Sequence, residues 1–117
     1  MCKESSGWTI FDSNKLGFRY VLNQDLNDPL EIILIGDSFL EGACIDSPYD
    51  ISSQISLMSN KNVLNLGFSG TGPLYQLALF REILNYSKKG GIYLDEDLDL
   101  TWIIFTGNDL QNLAEEK

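Results

Sequence analysis

The chain has 117 residues, 17 acidic and 8 basic side chains, a formal net charge of −9 and no histidine. That charge argues against a nucleic-acid groove, which needs clustered Lys and Arg on phosphates, and against anionic membrane surfaces. No apolar run approaches the ~20 residues of a membrane span, and the absence of histidine excludes a self-contained Ser-His-Asp or Cys-His machine and any histidine-ligated metal.

Residues 1–30 read as a polar, irregular N-terminal arm, with turn formers at Ser5-Ser6-Gly7, Asp12-Ser13-Asn14 and Asn27-Asp28-Pro29. Its apolar anchors are Trp8, Ile10, Phe11, Phe18 and Tyr20. The first residues, Met1 to Ser6, are polar and no apolar secretory stretch follows them. Two cysteines, Cys2 and Cys44, make neither a disulfide framework nor a zinc site, and Cys44 reads as a small core residue.

Glu31-Ile32-Ile33-Leu34-Ile35 is a short β-branched run ending at Gly36, the pattern of a strand buried on both faces. Ser47-Pro48-Tyr49-Asp50 then predicts a helix start, with Ser47 as N-cap, Pro48 at the first helical position and Asp50 where a capping box wants an acid. Ile51, Ile55 and Met58 form its apolar face, and Asn60-Lys61-Asn62 breaks it.

Val63-Leu64-Asn65-Leu66 is a second such strand, ending at Gly67 and followed by the loop Phe68-Ser69-Gly70-Thr71-Gly72. Pro73 opens a second helix through about Tyr86, with Leu74, Leu77, Ala78 and Leu84 inward. Lys88-Lys89-Gly90-Gly91 closes it, with cations on the negative end of the dipole and then glycine. An acidic loop, Asp95 to Asp99, leads to a third strand, Trp102-Ile103-Ile104-Phe105, and Thr106-Gly107-Asn108-Asp109 follows. The last eight residues look like the start of a third helix.

This β-α-β-α-β order predicts an α/β domain with a parallel sheet and right-handed crossovers. Each strand ends in a small-residue motif: Gly36-Asp37-Ser38, Gly67-Phe68-Ser69-Gly70 and Gly107-Asn108-Asp109. Ligands bind open α/β sheets outside the carboxyl ends of the strands, so all three motifs converge on the expected binding edge.

Ser38 is a candidate nucleophile beside local N–H groups, although Gly-Asp-Ser taken alone reads first as a serine capping a helix or turn. Gly70 lacks a Cβ, so its N–H can approach a substrate oxygen, or it merely permits the turn before Pro73. The Asn108 amide can donate to the same oxygen or satisfy its own backbone. Asp37 and Asp109 read as helix caps.

Taken together, three segments resemble the SGNH/GDSL hydrolase family. They are Ile35-Gly36-Asp37-Ser38-Phe39-Leu40-Glu41-Gly42, Asn65-Leu66-Gly67-Phe68-Ser69-Gly70-Thr71-Gly72-Pro73 and Phe105-Thr106-Gly107-Asn108-Asp109-Leu110. Ser13-Asn14-Lys15-Leu16-Gly17-Phe18-Arg19 looks like the lead-in of many bacterial members. The likeness runs from about residue 13 to residue 113 with order and spacing intact. It implies a three-layer, doubly wound, flavodoxin-like sheet and acyl hydrolysis or transfer through an acyl-serine. Ser38 would be the nucleophile; its own N–H, the Gly70 N–H and the Asn108 side chain would form the oxyanion hole. Ester, thioester or acylated-sugar substrates are implied, with no metal or organic cofactor.

The family's base is a histidine in a later Asp-x-x-His motif, and this sequence contains no histidine. The expectation is therefore that residues 31–117 are the N-terminal half of such a domain, inactive alone. The uncovered strand edge and helix faces of a half-sheet would favour self-association or aggregation. Two other classes fit parts of the pattern: a non-catalytic doubly wound module binding a small ligand or partner, and a phospho-acceptor domain using Asp37. The second lacks an acidic pair ahead of that aspartate.

Overall fold

The computed structural model describes residues 2–4, 7–9, 12–42 and 44–104. Their elements are β1 (Cys2–Glu4), β2 (Gly7–Thr9), β3 (Leu30–Ile35), α1 (Ser38–Glu41), α2 (Ile51–Ser59), β4 (Val63–Asn65), α3 (Pro73–Lys88) and β5 (Leu94–Trp102). β1 and β2 pair antiparallel as a small separate ribbon, which the irregular reading of the arm did not foresee.

The main sheet is three-stranded and parallel, in the order β4-β3-β5. The first strand of the sheet is thus central, and the chain steps to one side of it and then to the other. Alternation along β3 sends its side chains to two separate cores. Ile33 and Ile35, with Leu64 and Leu66, pack beneath α3 against Ile83, Leu79 and Phe80. Ile32 and Leu34, with Val63, pack against Leu40 of α1 and Ile55 of α2. Both faces of β3 are covered, which is why its sequence shows no polar alternation.

α2 begins later than expected. Asp50, not Ser47, is its N-cap, accepting from the Ser53 N–H, and the Ser47–Pro48 bond lies before it as a cis peptide. Its inward face is also not the apolar one. Ile51 is exposed and Met58 is 84% exposed, whereas Ser52, Ser53 and Ser56 are buried. Two of them serve the arm: the Leu22 N–H donates to Ser53 Oγ at 3.2 Å, and Ser56 Oγ bonds the Leu22 carbonyl at 3.0 Å and the Lys61 carbonyl, beyond the helix, at 3.1 Å. A helix facing backbone rather than side chains needs hydroxyls there, because buried carbonyls without donors are costly. Ser56→Ala is accordingly expected to lower stability by about 1–2 kcal/mol. Met58→Gln should fall within about ±0.5 kcal/mol, as surface changes do. Urea melts of the two variants check this reversal of the hydropathic ranking.

The inward face of α3 is shifted too. Gln76, Leu79, Phe80 and Ile83 point to the sheet, while Leu74 and Leu77 are 48% and 39% exposed and Ala78 is exposed. Residues 76, 79, 80 and 83 complete a clean i, i+3, i+4, i+7 stripe, so the expected stripe was out of phase. The helix closes as foreseen, with Lys88 in its last turn and Gly90 at φ +81°.

β5 covers Leu94–Trp102 and so absorbs the stretch expected to be an acidic loop. It pairs at Leu30↔Leu94 and again from Ile32↔Asp99 to Ile35↔Trp102, with an irregularity between. The strand lies at one side of the sheet and is mostly exposed, where carboxylates stay hydrated and discourage further pairing. Ile103 continues the ladder by donating to the Ile35 carbonyl at 2.8 Å. Phe105, the expected strand end, lies outside the described residues.

Part of the arm belongs to the core. Phe18, Val21 and Gln24 are buried, and the Gln24 amide donates to the Val63 carbonyl at 2.7 Å. Tyr20 is exposed; the Trp8, Ile10 and Phe11 side chains lie outside the described residues. Cys44 is not a small core residue: it is exposed and disulfide-bonded.

Candidate functional site

Ser38 is the first residue of α1, immediately beyond the carboxyl end of β3. Asp37 caps that helix: its carboxylate accepts from the Phe39 N–H at 3.0 Å. The capping role expected for Asp37 is therefore present, and it leaves the Ser38 N–H as the donor to be considered at this turn. α1 has only four residues, so what it can contribute is a local N–H rather than a summed helix dipole. Ser38 is partly exposed.

Gly70 lies in the loop after β4, at φ +78°. That conformation suits glycine over L-residues. A Cβ there would meet open space, so the demand is conformational and not steric. Thr71 closes the same loop, its Oγ1 donating to the Phe68 carbonyl at 2.7 Å.

The two loops lie against each other. A Cβ on Gly67 would come within 2.5 Å of the Glu41 nitrogen and 2.9 Å of the Leu40 carbonyl carbon. The Phe68 N–H donates to the Gly36 carbonyl at 3.4 Å, and the Ser69 hydroxyl donates to the Glu41 carboxylate. Ser38 and Gly70 thus occupy adjoining loops at the carboxyl ends of neighbouring parallel strands. Asn108, the third expected member, lies outside the described residues, as do Gly107 and Asp109.

Beneath these loops runs a buried polar chain that the sequence reading did not single out. Arg19, from the arm, donates to the carbonyls of Glu41 (3.2 Å), Gly42 and Ile45 (2.7 Å). It also meets Asp50 at 3.4 Å, both side chains being fully buried. Asp50 accepts from Ser52 Oγ at 2.7 Å. Asn65 Nδ2 donates to Ser52 Oγ and to the Leu40 carbonyl at 2.9 and 3.0 Å, and Asn65 Oδ1 accepts from the Gly67 N–H at 2.7 Å. Gln76 makes a parallel tie. It donates to the Thr71 carbonyl at 3.1 Å and accepts from Trp102 Nε1 at 2.7 Å, joining the Gly70 loop to the end of β5.

A polar residue inside an otherwise apolar strand, Asn65, and a polar residue inside an apolar helix face, Gln76, were the available signals. Arg19 carried no local signal, because its partners lie 22 to 31 positions away.

Among the described residues, no group of three or more His, Cys, Asp or Glu side chains is arranged to hold a metal ion, and no helix is long and apolar enough to cross a membrane. Comparison with protein-family models, with curated proteins and with solved structures found no match to this chain.

Proposed function

We propose that this chain carries the nucleophile and oxyanion-stabilising part of an SGNH/GDSL-type acyl hydrolase or acyltransferase. Ser38 takes the acyl group, and the Ser38 N–H, the Gly70 N–H and the Asn108 amide stabilise the tetrahedral oxyanion. The observation that carries the reading is the close seating of the Gly67 loop on α1, which sets Ser38 and Gly70 in adjoining loops. The strand order supports it further. The central strand of the β4-β3-β5 sheet comes first in the chain, an order that a doubly wound sheet with a ligand site at its switch point would accommodate. On this reading the sheet is the first part of a three-layer, doubly wound domain, and the substrate is an ester, a thioester or an acylated sugar.

The chemistry needs a base to take the Ser38 proton, since a neutral hydroxyl is a weak nucleophile. With no histidine in the 117 residues, the base comes from outside them, and these residues alone do not turn over substrate. The missing histidine also favours a second reading, a non-catalytic doubly wound module binding a small ligand at the same edge.

The two separate in one experiment. The chain is treated with p-nitrophenyl acetate, with imidazole added as an external base, and acetylation is located by peptide mass spectrometry. The acyl-serine reading expects Ser38 to acetylate on the order of 10²-fold faster than the exposed Ser47 and Ser59, the factor associated with one well-placed oxyanion donor. Equal rates at the three serines would leave the binding-module reading in its place.

A further inference from the structure

We infer that Arg19 and Asn65 are positioning residues for Ser38, acting through the carbonyl end of α1. In its acylation arm this rests on the acyl-serine reading above. α1 is four residues long, far shorter than a helix that persists alone. Its own backbone bonds are few: the Glu41 N–H to the Asp37 carbonyl at 3.0 Å and the Gly42 N–H to the Ser38 carbonyl at 2.9 Å. The last carbonyls of so short a helix lack intrahelical partners. Here the Leu40 carbonyl is taken by Asn65 and that of Glu41 by Arg19, while the Gly42 carbonyl accepts from both Arg19 and the Ile45 N–H. The helix bearing Ser38 is thus held from beneath by two side chains from other parts of the chain.

Asn65 gives the device a second output. While its Nδ2 holds α1, its Oδ1 holds the Gly67 N–H, three residues before Gly70. Ser52 and Asp50 close the circuit from Asn65 back to Arg19. One buried network therefore sets α1 and the Gly70 loop relative to each other. A fully buried ion pair is a poor way to gain stability, because desolvation offsets most of its attraction, whereas fixing a unique arrangement is the better-attested use. Arginine suits the task because its planar fork reaches several carbonyls at once, which a lysine ammonium on a flexible stem does not.

The test uses the full chain with Arg19→Lys, which keeps the charge facing Asp50, and Ser52→Ala, which removes only the bridge between Asp50 and Asn65. Amide hydrogen exchange is followed by NMR. Exchange at Glu41 and Gly42 should rise about tenfold or more in Arg19→Lys, and at Glu41 and Gly67 in Ser52→Ala, while Ile33 and Leu34 in β3 hold their protection. A rise shared equally by the β3 amides would mean general destabilisation and would overturn the inference. Should Arg19→Lys fail to fold, Ser52→Ala alone decides by the same criterion.

The second arm is the imidazole-assisted acetylation. Ser38 should slow about tenfold or more relative to Ser47 and Ser59 in either folded variant, since a displacement of about 1 Å can cost 10²-fold. A Ser38 rate unchanged in both variants sinks the positioning role while leaving the acyl-serine reading intact. Failure of the wild-type chain to favour Ser38 sinks that reading, and the exchange arm still decides whether the network fixes the two loops.

Discussion

Replacing Arg19 with methionine should be among the most damaging single changes to this fold, at about 3–5 kcal/mol, because it strands a buried carboxylate. Asp50 and Arg19 are both fully buried in their side chains, so removal of the cation leaves a charge that water does not reach. The Glu41 and Ile45 carbonyls lose their Arg19 donor at the same time, and the Gly42 carbonyl is left with the Ile45 N–H alone. The double variant Arg19→Met with Asp50→Leu should recover part of the loss, since no unpaired charge then remains. Recovery should be incomplete, because Asp50 also accepts from Ser52 Oγ and from the Ser53 N–H at the start of α2, and removing such a cap costs about 1 kcal/mol. Equilibrium urea unfolding of the single and double variants gives the cycle. Full additivity of the two losses would mean that the pair is not coupled and that the contact network is misassigned.

The contrast between what the sequence discloses and what it hides follows from the range of the interactions. β3 and β4 were legible because both are buried on two faces, and short, largely apolar runs ending at glycine have few other homes. The end of α3 was legible because Lys88, Lys89 and Gly90 act on neighbouring backbone. The buried faces of α2 and α3 were not. A hydrophobic stripe locates the core only when the core is apolar, and α2 instead buries Ser53 and Ser56 against the arm and Ser52 against Asn65. In α3 the buried Gln76 sits where a pattern search expects leucine, and its partners Thr71 and Trp102 come from a loop and another strand. The acidic residues of β5 misled for a related reason: charge argues against strand in general, but less so on a side strand facing solvent. At the candidate site, the placement of Ser38 and Gly70 beyond adjoining strands was readable from the order of elements alone. The Arg19–Asp50–Ser52–Asn65 network was not, because it joins the arm, the start of α2 and β4, which share no local pattern.

Gly67→Ala is the second large effect expected, and it tests how the two loops are held together. Gly67 is not at a positive φ, so alanine is conformationally acceptable there and the objection is steric. The added Cβ would stand 2.5 Å from the Glu41 nitrogen, 2.8 Å from Asn65 Oδ1 and 2.9 Å from the Leu40 carbonyl carbon. Two of those atoms are backbone, so no rotamer change relieves the contact; either α1 or the β4–α3 loop must move. Overpacking of this kind costs about 1–3 kcal/mol, and rigid neighbours place it toward the upper end. The movement also strains the Gly67 N–H bond to Asn65 at 2.7 Å and the Ser69 bond to Glu41. Gly70→Ala provides the comparison. Its Cβ would meet open space, but φ is +78°, and the penalty is the left-handed cost of about 1–2 kcal/mol. The two glycines should therefore separate by kind of damage. In Gly70→Ala, amide shifts should change locally around residues 68–72 while α1 keeps its own. In Gly67→Ala, the amides of Leu40, Glu41 and Gly42 should shift together with those of Phe68 and Ser69. Confinement of the Gly67→Ala changes to the β4–α3 loop would mean that α1 does not bear on it, and the shared seating of Ser38 and Gly70 would have to be abandoned.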